Sequence, residues 1–327
     1  TAGTWRFDNV SFTADPITPP VVDITGCSSS QSPYVKPLGA GNTTTSILTV
    51  GDLIGGYDMV GIPDGMGAYD NNDGTFTLLM DHELGTTAGV VRDHGFIGSF
   101  VSKWVINKSN LCVVSGEDLI QSVLDWNGTA FVPAVAPIGR LCSADLPAVS
   151  AFYNAGTGKG TQARIFMSGE EVGNEGRAYG HIATGASAGT SYQLPHLGRF
   201  SWENAVAKPN SGTATIVVGT DDGQGNQVYV YVGSKTNAGN GVEAAGLTNG
   251  VGLDDTTPGQ VYVYVGTKQS TGSEIEKAGL FGGKLYGIKV NGIAVETAAL
   301  LPATSAAVSL VDRGLVQNAT GAALQTA

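Results

Sequence analysis

The sequence predicts an all-β protein, a β-propeller or part of one built from short antiparallel strands. Three observations carry that expectation. Apolar, strand-like runs recur along the chain between clusters of turn formers. Charged residues make up only 14% of the chain while glycine reaches 48 copies, a balance that suits many short strands joined by turns. A long stretch also repeats: "GTDDGQGNQVYVYVGSKTNAGNGVEAAGL" (219–247) returns as "GLDDTTPGQVYVYVGTKQSTGSEIEKAGL" (252–280). Asp221 maps to Asp254 at an offset of 33, and such spacing marks supersecondary units stacked in a propeller or solenoid.

In chain order, residues 1–45 are rich in Pro, Ser and Thr and read as an extended arm, with a single propeller-like domain over 46–327. Strands are expected at "TSILTV" (45–50), "FTLLM" (76–80), "FVSKWVI" (100–106) and "ARIFMS" (163–168). Further strands follow at "ATIVVG" (214–219), both "QVYVYVG" copies (227–233 and 260–266) and "GKLYGIKV" (283–290). The segment "IPDGMGAYDNNDG", full of turn formers, reads as a turn region, and Asn72-Asp73-Gly74 and Asn291-Gly292 are hairpin signals. Short helical turns are expected near 117–124 and 145–155, and the last 30 residues read as strands or a frayed end.

Composition excludes several functions. The formal net charge of -11 and a pI near 4.7 argue against nucleic acid, which needs a basic surface. No run approaches the roughly 20 apolar residues of a spanning helix, so no membrane span is expected. The start at Thr1 without a Met reads as a processed or trimmed N-terminus, which leaves room for the expected secreted location, periplasmic or extracellular. Of Cys27, Cys112 and Cys142, one disulfide leaves one thiol over, and the sequence leaves the pairing open.

Carboxylates gather at few places: Asp64; Asp81 and Glu83; Glu170, Glu171 and Glu175; Glu203; Asp221 and Asp222; Asp254 and Asp255. A single acid pair at a strand end is by default a solvated one. Repeated pairs in a chain so poor in charge point to divalent ions between them, because neighbouring carboxylates repel. Hard oxygen ligands favour calcium, and a nearby thiolate brings in a transition metal. Cys142 in "GRLCSADLP" lies in a polar stretch, unlike Cys112 in "NLCVV", and reads as a metal ligand, a half-disulfide or an inert thiol. In "LGRFSWENAV" (197–206), Glu203 is a candidate ligand and Arg199 a candidate anion clamp. His82 in "TLLMDHELG" is a candidate general acid or ligand, although a lone His is more often a hydrogen-bonding partner.

The order "LLMDHELG", "RLCSADLP" with "IFMSGEEVG", "LGRFSWENA" and "VVGTDDGQGNQVYVYVG" resembles the PhoX-type alkaline phosphatases, calcium-dependent secreted bacterial enzymes. Asp81 stands where that family has Asn, and Trp202 where it has His. The resemblance implies a β-propeller hydrolase acting on phosphate monoesters with calcium and iron as cofactors. It implies metal ligands at Glu83, Cys142, Glu170 or Glu171, Glu203, Asp221 and Asp222. The residues alone also allow a non-catalytic, calcium-stapled extracellular protein that self-associates through its aromatic strands, or a propeller using one calcium as lactonases do.

Overall fold

Three sheets follow one another along the chain in a computed structural model that describes residues 22–37, 42–223, 228–234, 271–281, 284–291, 308–312 and 320. The first described strand, β1 (Val22–Thr25), pairs in parallel with β2 (Thr43–Ser46), and β3 (Leu53–Ile54) forms a small hairpin with β4 (Tyr57–Asp58). A disulfide between Cys27 and Cys112 ties the N-terminal segment to the first large sheet. Such a bond suits an oxidising compartment. No described helix is long and apolar enough to cross a membrane.

Sheet one is an antiparallel meander of β5 (Pro63–Asp70), β6 (Thr75–His82), β7 (Phe100–Asn107) and β8 (Val113–Asp118). Its first hairpin turns at the expected Asn-Asp-Gly: Asn72 and Gly74 both take positive φ, the conformation Asn and Gly tolerate best. Sheet two contains β9 (Ser122–Trp126), β10 (Phe131–Pro133), β13 (Ile165–Gly169), β14 (Ala178–Ile182) and β15 (Thr190–Gln193), in the order β10-β9-β15-β14-β13. Between them, β11 (Tyr153–Asn154) and β12 (Lys159–Gly160) form a two-stranded outlier. Sheet three runs β16 (Trp202–Ala207), β17 (Ala214–Asp221), β18 (Val228–Ser234), β19 (Lys284–Val290) and β20 (Val308–Asp312), antiparallel throughout.

The sheets stack through their apolar faces, which makes the architecture all-β and propeller-like. Leu79 and Val101 of sheet one meet Phe166 and Tyr179 of sheet two. On the other face of β13, Ile165 and Met167 meet Phe200 and, from sheet three, Trp202, Val217, Tyr229 and Tyr231. Sheet two is thus covered on both sides, which explains why "IFMSG" is buried at every position instead of alternating. Each large apolar side chain so buried contributes about 1.5–3 kcal/mol before the entropy of ordering it is subtracted.

Three local expectations are corrected. Residues 117–124 are not helical: they end β8 and begin β9, and Leu119, Ile120 and Val123 fill the core between sheets one and two. Within 145–155 only Val149–Ala151 makes a 3-10 turn. The turn-like "PDGMGAYD" is the strand β5. A short helix not anticipated, α1 (Glu274–Ala278), starts on a capping box in which the Ser273 hydroxyl and the Glu276 carboxylate each accept from the other's backbone N–H. The second "QVYVYVG" copy lies outside the described residues; the first is β18, both of whose edges are filled, by β17 and β19.

Candidate metal centre

All three sheets deliver acids to one place. Sheet one supplies Asp64 from β5 and Glu83 just past the end of β6. Sheet two supplies Glu171, two residues beyond β13, and the segment 140–145 runs beside that strand through bridges from Leu141 to Glu170 and from Asp145 to Met167. Cys142 follows Leu141 in that segment and is thereby held at the seam. Sheet three supplies Glu203 from β16 and Asp222 just past β17.

Close backbone approach sets the first contact. A Cβ on Gly65 would lie 2.1 Å from the Ala144 nitrogen, and one on Gly67 only 2.3 Å from the Leu146 Cβ. Only glycine lets β5 run this near residues 143–146. The neighbour Asp64 is thereby set against Cys142, whose Sγ lies 3.8 Å from Asp64 Oδ2 and 3.5 Å from Glu203 Oε2. Two groups of donors result. Glu83, Cys142 and Glu171 offer ligand atoms within 4.8 Å of one another, and so do Glu171, Glu203 and Asp222. Glu171 belongs to both.

The electrostatics are those of crowded, partly desolvated acids. Burial, and then the nearby Glu83, raise the Asp64 carboxyl above its usual range. Burial likewise raises Glu171, with Arg140 opposing the shift. The Cys142 thiol is pushed up to about 12 by burial, with Asp64 and Glu203 adding to the effect, so without a metal it stays protonated. Deeper still, Asp81 is fully buried and its carboxyl is raised well above normal by desolvation and by Asp64. Neither of its oxygens has a hydrogen bond of normal geometry among the described residues, although the Ser168 hydroxyl is near enough to oppose the shift. Acids this poorly compensated suit a site that takes a cation.

Other expected site residues lie elsewhere or act differently. Glu170 turns inward, 3% exposed, and accepts from the Gly139 amide at 2.9 Å and from Arg177 Nε at 2.7 Å and Nη2 at 2.8 Å. It serves as half of a buried ion pair. Because strand side chains alternate, His82 faces away from Asp81, stacking on Phe100 with centroids 4.3 Å apart and meeting Ser102 Oγ at 2.8 Å. Burial depresses its pKa to about 4. Arg199 pairs with Glu175 at 3.4 Å. Asp221 is buried, caps its own turn through the Gly223 amide at 2.8 Å, and leaves the cluster to Asp222. The cation at the cluster is one the motifs did not single out. Arg140 donates to Glu83 Oε1 through Nε at 2.9 Å and through Nη2, and to Glu171 Oε2 at 2.8 Å.

No family model matches the chain, and no curated protein matches it in sequence. Among solved structures the chain is similar to Pseudomonas fluorescens PhoX in complex with vanadate, a transition state analogue, at 11% sequence identity and a TM-score of 0.41. The match covers 70% of this chain and 45% of that one, so the chain spans less than half of that protein's length. The likeness is distant.

Proposed function

We propose that the chain is a metal-dependent phosphoesterase that hydrolyses phosphate monoesters outside the cytoplasm. The observation that supports this reading most is the convergence of Asp64, Glu83, Cys142, Glu171, Glu203 and Asp222 from three sheets. The carboxylates suit calcium, and the thiol among them suits iron or a similar ion, since calcium has little affinity for sulfur. Glu83, Cys142 and Glu171 would hold one ion and Glu171, Glu203 and Asp222 another. Bound there, the ions would neutralise the phosphate oxygens and lower the pKa of a water.

The chain's own residues have two tasks. Cys142 must give up its proton to become a ligand, and either Glu203 Oε2 or Asp64 Oδ2 stands within reach to accept its single S–H, so a proton path leads away from sulfur. Burial disfavours the ionised forms of Asp64 and Asp81, and a cation taken up beside them would favour those forms again. The disulfide fits a secreted location.

The test is Cys142→Ser, followed by elemental analysis and hydrolysis of p-nitrophenyl phosphate. The expected variant loses transition metal and phosphatase activity while keeping calcium. Full activity in that variant would sink the proposal.

A further inference from the structure

Arg140 stands where an ion would have to go. Its guanidinium bridges Glu83 and Glu171, and these two carboxylates form one donor group with Cys142. Its main chain is fixed, with the amide donating to the Leu84 carbonyl at 3.0 Å and the carbonyl accepting from the Glu171 amide at 2.9 Å. The side chain is not fixed in the same way. It is 46% exposed, against 13% and 17% for the carboxylates it grips, so the guanidinium covers them from the solvent side.

We propose that Arg140 is a cation-displaced anion clamp. It holds Glu83 and Glu171 together in the metal-free chain, is released when a divalent ion takes those carboxylates, and then binds a phosphoryl oxygen at the mouth of the site. This rests on the metal-dependent reading above. A carboxylate engaged by a divalent ion is a weaker acceptor for the guanidinium, and the ion repels it directly. The anchored backbone keeps the released side chain at the cluster. Its planar fork matches two oxygens of a tetrahedral oxyanion, which a lysine cannot reproduce. The remaining named acids of the cluster, Asp64, Glu203 and Asp222, are anionic when ionised, so a phosphate ester needs both the ions and this guanidinium to approach them.

The consequence is a pair of effects of opposite sign. Arg140 opposes cation binding and supports anion binding, whereas an arginine that only held the fold would favour both. Arg140→Gln and Arg140→Lys are to be compared with the full-length wild-type protein. Calcium affinity, which reads Arg140's hold on Glu171, the carboxylate shared by both donor groups, is measured by titration calorimetry on metal-stripped protein, and inorganic phosphate affinity on calcium-loaded protein. Arg140→Gln is expected to tighten calcium binding by about tenfold, the scale of one lost charge-assisted contact, and to weaken phosphate by a similar factor. Arg140→Lys, which keeps the charge but loses the fork, should fall between on both scales. Calcium binding that is unchanged or weaker in Arg140→Gln would overturn the competition, and unchanged phosphate binding would overturn the clamp. A wild-type protein that binds no divalent ion would instead overturn the metal-centre reading itself, and the inference with it.

Discussion

At the scale of the residue, adjacent acids have opposite fates. Glu171 reaches the cluster while Glu170 is buried against Arg177, and the spelling "GEEVG" does not say which is which. Only the partner strands decide it, because the guanidinium that claims Glu170 arrives from β14's approach. Breaking such a buried pair from one side costs about 3–5 kcal/mol, since a charge is left uncompensated. Glu170→Gln should therefore lower the urea midpoint strongly yet leave any calcium-dependent rise in melting temperature intact. Loss of that rise would make Glu170 a ligand after all. His181 gives a pH-dependent counterpart. Both ring nitrogens meet serine hydroxyls at 2.8 Å, from Ser168 and Ser191, and burial depresses its pKa to about 3. The unfolded chain takes a proton below about 6.5 and the folded chain does not, so stability is full above that pH and falls as pH drops toward 3. From this residue alone about 2 kcal/mol is lost by pH 5. Chemical denaturation at pH 7.5 and 5 should show a shallower decline for His181→Gln than for wild type. Equal slopes would mean that His181 titrates normally in the fold.

At the scale of the element, the long apolar strands were legible: "FTLLM", "FVSKWVI" and "ATIVVG" lie on strands and "ARIFMS" overlaps one, because apolar, branched and aromatic runs between turn formers fit a sheet. The strand β5 was not, because its glycines read as turn formers while their actual use is close backbone approach. The same holds for Gly169 and Gly219, where a Cβ would lie 2.4 Å and 2.6 Å from atoms of the buried Trp202. Neither purpose is visible until the opposing segment is known. Gly65→Ala is expected to destabilise by about 1–3 kcal/mol through overpacking and to weaken metal binding by parting Asp64 from Cys142. Gly85→Ala, where nothing lies within 4 Å and φ is ordinary, is the matched control and should be silent in both assays. Equal behaviour of the two variants would show that β5 tolerates a wider spacing.

At the scale of the whole molecule, the stacked sheets explain why acids separated by up to 158 positions, Asp64 and Asp222 (222 − 64), belong to one site. The acidic strand ends could be read from the sequence, and their convergence could be expected from a propeller-like stack. Arg140 could not, since it is tied to Glu83 across 57 positions and no local pattern marks it. If these strand ends form a cation site, Glu171 matters most to it because it belongs to both donor groups. The decisive measurement is the thermal melt of metal-stripped protein with and without calcium, run on wild type and on Glu171→Gln. With calcium at about 100 times its Kd, the wild-type folded state should gain about 2.7 kcal/mol and melt several degrees higher. The same addition should do little to Glu171→Gln. Superimposable wild-type curves with and without calcium would rule out a calcium site at these strand ends.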